Sequence, residues 1–253
     1  VSNRAFLRGG IVNPQKLEEY GLHTGELPRH VAMIMDGNGR WAKRRHMPRT
    51  YGHKKGVERV REIVKASSAF GIEAITLYAF STENWKRPKE EVSLLMALLA
   101  QYLQNEVNEL DKNGVRFRMI GDRSGLDETL QRLIQNAEAQ TQKNTQLTLC
   151  VAINYGGQSE LEQAAVCLAE DTAAGRCLPT REEFQKRLYT AGMPPVDYLI
   201  RTSGELRISN FLLYQAAYAE LYFTEVCWPD FDTAEYARAL ADFSARNRRY
   251  GGL

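Results

Sequence analysis

The chain has 253 residues, of which 43% are hydrophobic and 25% charged, with a formal net charge of +2. That suits one large α/β domain or two small ones with a sizeable core. The composition is ordinary for a soluble globular protein, and the net charge is too small to indicate a nucleic-acid partner. The four cysteines, Cys150, Cys167, Cys177 and Cys227, form no C-x-x-C pair, so neither a zinc knuckle nor a thioredoxin-type motif is indicated. Val1 to Arg29 lacks the basic, apolar, small-residue succession of a signal peptide. The longest purely apolar run, Leu94 to Ala100, falls far short of a membrane span. A cytoplasmic protein is expected, with peripheral membrane contact left open.

In chain order, residues 1–29 are mixed and aperiodic and read as an N-terminal arm with one short helix. Residues 30–253 read as a single domain. Strands are expected at Val31–Met35, Ala74–Phe80, Val115–Ile120, Leu147–Asn154, Tyr198–Arg201 and Glu220–Phe223. Helices are expected at Lys54–Phe70, Lys89–Lys112, Asp127–Thr141, Ser159–Thr172, Thr180–Tyr189, Ser209–Ala217 and Thr233–Arg246. Strand and helix alternating in this way predict an α/β fold with a central, mostly parallel six-stranded sheet flanked by helices. The near-continuous apolar runs His30–Met35 and Ala74–Phe80 suit strands buried on both faces.

Ligands of open α/β sheets gather at the carboxyl ends of the strands. That rule singles out Asp36–Arg40, Ser81–Trp85, Asn154–Gly157 and Arg201–Glu205, each directly after an expected strand. In the first of these loops, Gly37 and Gly39 allow close backbone approach to a ligand. The helix that follows presents free N–H groups and the positive end of its dipole, which suits phosphate. Arg40 and Arg49 add forked, charge-assisted donors. Asp36 beside such a cradle would repel a diphosphate unless a cation lay between them, and Mg²⁺ with few carboxylates and substrate phosphate oxygens fits that need. Between Asp36 and Glu58 there is no acidic residue, while Arg40, Lys43, Arg44, Arg45, Arg49, Lys54 and Lys55 all fall there. Such a run reads either as a solvated helix face or as a site for a polyanion.

Gly37-x-Gly39-x-x-Ala42 also matches the dinucleotide fingerprint in form. That reading needs an acidic residue at the end of the next strand about 20 positions on, and the distance lands near Glu58 inside a helical pattern. Trp41 is bulky for a turn over a pyrophosphate, and no G-x-x-x-x-G-K-[ST] is present.

His30-Val-Ala-Met-Ile-Met-Asp-Gly-Asn-Gly-Arg-Trp-Ala42 resembles the opening signature of the cis-prenyltransferase family, which includes the undecaprenyl diphosphate synthases. Tyr51–Lys54, Tyr78–Pro88, Ile200–Glu205, Arg207–Phe211 and Tyr218–Phe223 match further motifs in family order. The resemblance runs from His30 to Gly252. It implies an Mg²⁺-dependent enzyme that condenses isopentenyl diphosphate onto an allylic diphosphate, farnesyl diphosphate being the expected primer. The implied product is a long-chain Z-polyprenyl diphosphate, undecaprenyl diphosphate for a cell-wall lipid carrier. A homodimer is also implied.

Carried over residue by residue, the resemblance places the allylic diphosphate over Gly37, Asn38, Gly39 and Arg40, with Trp41, Arg49 and His53 beside it. Asp36 would hold the metal and help the diphosphate leave, with Glu220 contributing to the metal site. Isopentenyl diphosphate would be gripped by Arg201, Arg207, Ile208 and Ser209. Asn84 matches a residue given a proton-acceptor role in the family, although an amide is a poor base. Ser81, Thr82, Glu83, Trp85 and Arg87 read as a lid over bound diphosphates. Where many relatives carry a histidine that adds a metal contact, this chain has Leu206.

The helices over Lys54–Phe70 and Lys89–Lys112 carry more apolar surface than one stripe needs and are expected to wall a hydrophobic tunnel. Ala79 is expected to leave room at its entrance, and Leu147 to help floor its far end. Arg249-Tyr250-Gly251 fits an Arg-x-Gly ending that in relatives reaches a diphosphate. A noncatalytic partner subunit would lack Asp36 and Arg40. A trans-prenyltransferase would need Asp-rich motifs, and the chain has no Asp-Asp pair.

Overall fold

A computed structural model describes residues 12–246; the Arg249–Gly251 ending lies outside them. Six strands form one sheet in the order β3-β4-β2-β1-β5-β6. They are β1 (His30–Ile34), β2 (Ala74–Ser81), β3 (Val115–Ile120), β4 (Leu147–Tyr155), β5 (Tyr198–Thr202) and β6 (Glu220–Thr224). Every pairing is parallel. β1 and β5 are buried at every position, as strands covered on both faces must be.

The helices are α1 (Pro14–Glu19), α2 (Asn38–Arg44), α3 (Arg49–Phe70), α4 (Lys89–Lys112), α5 (Glu128–Thr141), α6 (Gly157–Ala173), α7 (Arg181–Gln185) and α8 (Thr233–Ala245). Alternate strand residues face opposite ways. Val31, Met33, Leu77 and Ile153 join the larger core with Ile63 of α3, Leu103 of α4, Ile134 of α5 and Leu240 of α8. Ala32, Ile34, Cys150 and Ala152 face a smaller core built with Phe211 and Leu212.

Two expectations need correction. The segment read as an arm supplies Leu17, Leu22 and Leu27 to the larger core, so residues 14–27 are part of the packed body. The helix expected over Ser209–Ala217 is absent. The chain there bends through positive φ at Ser209 (48°), Asn210 (61°) and Leu212 (47°). Burial wins over helical propensity: Phe211 is fully buried and stacks on Tyr78 with centroids 4.3 Å apart. Asn210 meanwhile caps α6, accepting from Gly157 N at its carbonyl (2.7 Å) and from Gln158 N at its side chain (2.9 Å).

The strand order fixes where a ligand can bind. From β1 the chain moves to β2 on one side, and it returns only later to β5 on the other. The carboxyl ends of β1 and β5 therefore flank the crevice where the winding reverses. Asp36 follows β1, and Arg201 lies near the end of β5.

Candidate active site

The first loop is shaped by Gly37, which sits at φ +100° and caps α2. A side chain there would stand 2.7 Å from Ser203 Oγ, so only glycine lets the β1 and β5 loops meet this closely. α2 is locked in turn against α3: a Cβ on Gly52 would lie 2.0 Å from the Asn38 carbonyl oxygen.

Asp36 Oδ1 accepts a hydrogen bond from Gly37 N at 2.6 Å. Its Oδ2 accepts from Arg201 Nη2 at 3.0 Å and pairs with Arg40 Nη2 at 3.2 Å. Partial burial pushes this carboxyl up, but the hydrogen bonds from Arg201 and Gly37 and the Arg40 charge outweigh it and hold it below the usual range. Asp36 is an anion bracketed by two arginines from different loops.

Arg201 is only 4% exposed. Besides Asp36, it donates from Nη1 to the Arg207 carbonyl (2.6 Å) and to Ser209 Oγ (2.7 Å), and its Nε has no partner. Arg207 is different. Its side chain is 61% exposed and pairs with Glu205, which also binds Arg40 at 2.9 Å. The hydrogen bond from Arg207 is the first cause holding the Glu205 carboxyl below its ordinary range. Glu205 thus bridges the two arginines assigned to separate diphosphates.

A second cationic set lies across the crevice. Arg49 opens α3 and His53 follows one turn on. Glu91, in the first turn of α4 where the helix dipole favours an acid, receives Arg49 at 3.2 Å and Arg87 at 2.9 Å. His53 Nε2 stands 3.5 Å from the same oxygen, too far for a hydrogen bond, and is buried without a partner. Burial pushes the His53 imidazole below its ordinary pKa; the Glu91 charge opposes that, and Arg49 and Arg87 add to it. Arg49 and Arg87 share this one carboxylate and can accept further negative charge, and the His53 ring stands beside them.

Behind the charged rim a cavity of about 620 Å³ runs between the sheet and the helices α3 and α4. Val57 and Val60 of α3 line it together with Leu95, Leu99 and Tyr102 of α4, as expected of a tunnel wall. Its volume is in the range of pockets that enclose a small ligand. Gly37, Asn38, Gly39, Arg49, His53, Arg201 and Ser209 stand at its polar end, as do Ser81, Glu83, Asn84 and Arg87 of the expected lid. Arg40 lines the adjoining mouth with Lys43 and His46. Ala79 lines the cavity, where the β2–β4 register shifts between Tyr78 and Phe80. Leu147 does not. It pairs with Val115 at the start of β4, while the lining from that strand is Val151 and Ile153.

Several residues carried over from the resemblance are engaged in other contacts. Trp41 is buried, stacks on Tyr51 and donates to Asp230 Oδ1 at 2.6 Å, so it packs α2 down. Ile208 packs against the smaller core. Thr82 and Trp85 are not among the residues that line the cavity, and Trp85 donates instead to Asn154 Oδ1 at 2.7 Å. Asn84 Oδ1 is occupied by the Ser81 N–H at 3.2 Å, capping the 3₁₀ turn Thr82–Lys86. Glu220 is the largest departure. It opens β6 opposite Tyr198, four residues before Thr224, or roughly 13 Å below the carboxyl end. There it binds Arg246 Nη1 at 2.8 Å. Within this chain, Glu220 does not join Asp36 in a metal site.

Leu206 is 77% exposed and offers no ligand. Among the described residues no group of three or more His, Cys, Asp or Glu is poised to hold a metal. A single carboxylate at a diphosphate cradle suits a hard cation that keeps most of its ligands as water and phosphate oxygens, which is the habit of Mg²⁺. Glu91, which no sequence pattern had marked, completes the site with Glu205 and Tyr78, which lay in matched motifs without a role assigned to them. The acidic pair could have been found from its spacing: Glu91 lies four residues after Arg87, and Glu205 two before Arg207.

Comparison with known proteins identifies the family. Residues 34–251 match the family model Prenyltransf, described as "Putative undecaprenyl diphosphate synthase". The chain is 52% identical over 234 residues to a ditrans,polycis-undecaprenyl-diphosphate synthase, (2E,6E)-farnesyl-diphosphate specific, of Haemophilus influenzae, covering 91% of this chain and 98% of the relative. It is 50% identical over 230 residues to an isoprenyl transferase of Agrobacterium fabrum, covering 90% and 93%. Among solved structures, lavandulyl diphosphate synthase from Lavandula x intermedia, in complex with dimethylallyl diphosphate, superposes with a TM-score of 0.86 at 37% identity. That match covers 89% of this chain and 99% of the other.

Proposed function

Because this chain belongs to the undecaprenyl diphosphate synthase family of prenyltransferases, we propose that it extends farnesyl diphosphate with isopentenyl diphosphate units. The product is a long-chain Z-polyprenyl diphosphate of the undecaprenyl type that serves as a cell-wall lipid carrier. The observation that carries this reading is one carboxylate, Asp36, bracketed by Arg40 and Arg201 at the polar end of an apolar cavity.

In this reading Gly37, Asn38, Gly39 and Arg40 hold the diphosphate of the primer while its hydrocarbon tail fills the cavity. Arg49 and His53 face it from α3. Arg201, Arg207 and Ser209 hold the second diphosphate. Mg²⁺ carried by Asp36 and the phosphate oxygens would neutralise charge on the departing diphosphate. The allylic C–O bond breaks, and the terminal double bond of isopentenyl diphosphate forms the new C–C bond. A proton then leaves the adjacent carbon. Positioning and charge neutralisation supply most of the acceleration in such a step. The Asn84 amide, already hydrogen-bonded to Ser81, acts as an orienting group more readily than as a base. Each methylene buried in the cavity contributes about 0.8 kcal/mol, so release of a long product is slow.

The apolar side chains Leu206, Tyr218 and Leu221 are exposed, and Leu221 lies on the edge strand β6, which supports a homodimer through that edge. No helix among the described residues is long and apolar enough to cross a membrane, so product delivery would need only peripheral contact. The test is incubation of purified protein with farnesyl diphosphate, isopentenyl diphosphate and Mg²⁺, followed by chromatography of the products. A ladder ending in a long Z-chain is expected. Absence of any extended product would overturn the reading.

A further inference from the structure

Asn154, the last residue but one of β4, has a conformation that a β-strand residue does not normally adopt. Its φ is +49°, inside a strand whose neighbours Ile153 and Tyr155 are fully buried. The sheet register explains how this is possible. Phe80 pairs with Ile153 and Ser81 with Tyr155, so Asn154 has no partner on β2 and is freed from the ladder. Left-handed backbone costs any residue with a side chain, least so Asn, and such strain persists only where the surroundings enforce it.

The turned side chain, in a residue only 8% exposed, uses both ends of its amide. Nδ2 donates to the Asp122 carbonyl at 2.9 Å, and Oδ1 accepts from Trp85 Nε1 at 2.7 Å. The first bond ties Asn154 to the loop after β3, which also donates back from Asp122 N to the Asn154 carbonyl at 3.1 Å. The second reaches the 3₁₀ turn Thr82–Lys86. Trp85 then packs edge-on against Phe80, centroids 4.9 Å apart. The pocket around this bond is shaped to it: a Cβ on Gly125 would come within 3.1 Å of Asn154 Nδ2 and 3.7 Å of Trp85 Cζ2.

Neither Trp85 nor Asn154 lines the cavity, whereas Ser81, Glu83, Asn84 and Arg87, on either side of Trp85, all do. Trp85 is 41% exposed, so packing alone holds it weakly, and the hydrogen bond to Asn154 is its fixed point on the sheet. We propose that Asn154 is a positioning residue that holds the Ser81–Arg87 lid through Trp85, and so sets Asn84 and Arg87 over the bound diphosphates. This rests on the prenyltransferase reading of the same site. Asn154 touches no reacting atom. Its amide is chosen because only an acceptor on a short side chain that tolerates positive φ can meet the indole N–H there.

Asn154→Gly is the cleanest variant, because glycine accepts the backbone angle and removes only the side-chain bonds. Trp85→Phe deletes the same hydrogen bond from the lid side and leaves the sheet untouched. Two readouts apply. Trp85 is the exposed indole, Trp41 and Trp228 being 8% and 1% exposed, so acrylamide quenching of tryptophan emission reports on its tether. Asn154→Gly should increase the quenchable fraction and shift emission to longer wavelength. In the condensation assay, Trp85→Phe should lower kcat about five- to tenfold, the worth of one neutral hydrogen bond, and Asn154→Gly, which also loses the bond to the Asp122 carbonyl, at least as much. The KM for the allylic diphosphate, whose cradle lies elsewhere, should change by less than about twofold. The double variant should be no worse than Asn154→Gly alone. Unchanged quenching in Asn154→Gly, wild-type kcat in Trp85→Phe, or additive losses in the double variant would each overturn the proposal. Quenching needs no substrate, so it decides the tether even where the condensation assay fails and takes the proposed function with it.

Discussion

The two ends of the sheet carry similar side chains in opposite states. At the amino ends of the strands, His30 is fully buried and its ring is satisfied on both sides. Nδ1 donates to the Pro194 carbonyl at 2.9 Å, and Nε2 accepts from Thr76 Oγ1 at 2.7 Å. Glu220 and Arg246 close on each other there, and Arg246 also binds Asp242 at 2.7 Å. At the carboxyl ends, His53 keeps an unpartnered Nε2, Arg201 an unpartnered Nε, and Arg49 and Arg87 share the single carboxylate of Glu91. The lesson is that charge alone does not mark a site. Function lies where buried donors outnumber the acceptors the chain supplies, since an unmade buried hydrogen bond is costly until a ligand makes it.

The strongest way to break this contrast is to remove Arg201. Its truncation strips donors from Asp36, Ser209 and the Arg207 carbonyl at once, and breaking a buried ion pair costs about 3–5 kcal/mol. Arg201→Ala should therefore lose both stability and activity. Arg207→Ala, at an exposed side chain paired only with Glu205, should keep its Tm and raise the KM for isopentenyl diphosphate about tenfold. Chemical denaturation beside steady-state kinetics separates the two. Equal destabilisation by both would mean that burial has been misread as the difference between them.

Next in size is Asp36→Asn, which keeps the shape and removes the charge. The turnover number should fall about 10²- to 10³-fold with the fold intact, because the carboxylate acts on charge that develops in the reaction. Circular dichroism beside kcat checks it, and near-normal kcat would remove Asp36 from the chemistry.

The amino end makes its own prediction. Burial pushes His30 from 6.5 down to about 4. Above pH 6.5 the ring is neutral whether folded or unfolded, and its packing contributes fully. As pH falls from 6.5 to about 4, the unfolded chain takes up a proton that the folded one refuses. Stability should then drop by about 3 kcal/mol across that window. Urea midpoints against pH should show this slope in the wild type, and His30→Gln, which cannot titrate, should show less of it. Equal slopes would mean that His30 is not held neutral.

A smaller effect sharpens the apolar half of the site. Ala79→Leu should shorten the products by crowding the cavity at the β2 register shift. Mass spectrometry of the chain-length distribution reads it, and an unchanged distribution in a folded variant would displace the growing chain from this cavity.

Much of this was legible in the sequence. The strands were visible because two-sided burial demands unbroken apolar runs, and the span Val115–Ile120 matches β3 to the residue. The turn proposed as the phosphate cradle was legible because glycine, strand end and helix start fall together at Gly37. Other features depend on tertiary contacts that periodicity does not encode. The helical pattern over Ser209–Ala217 gave way because Phe211 had to reach Tyr78. Trp85 belongs to the expected lid, yet its indole turns to Asn154, which leaves the ladder to receive it. Glu220 follows a family motif, yet its strand register puts it at the closed end of the sheet.

The contrast between the two ends can be measured in one experiment, by following the histidine ring nitrogens by NMR as pH is varied, with and without inorganic pyrophosphate. A diphosphate in the crevice brings negative charge beside the free Nε2 of His53 and must raise its pKa, while His30, sealed at the other end, stays near about 4. A His53 titration unmoved by saturating pyrophosphate, or a His30 titration that moves with it, would contradict the account.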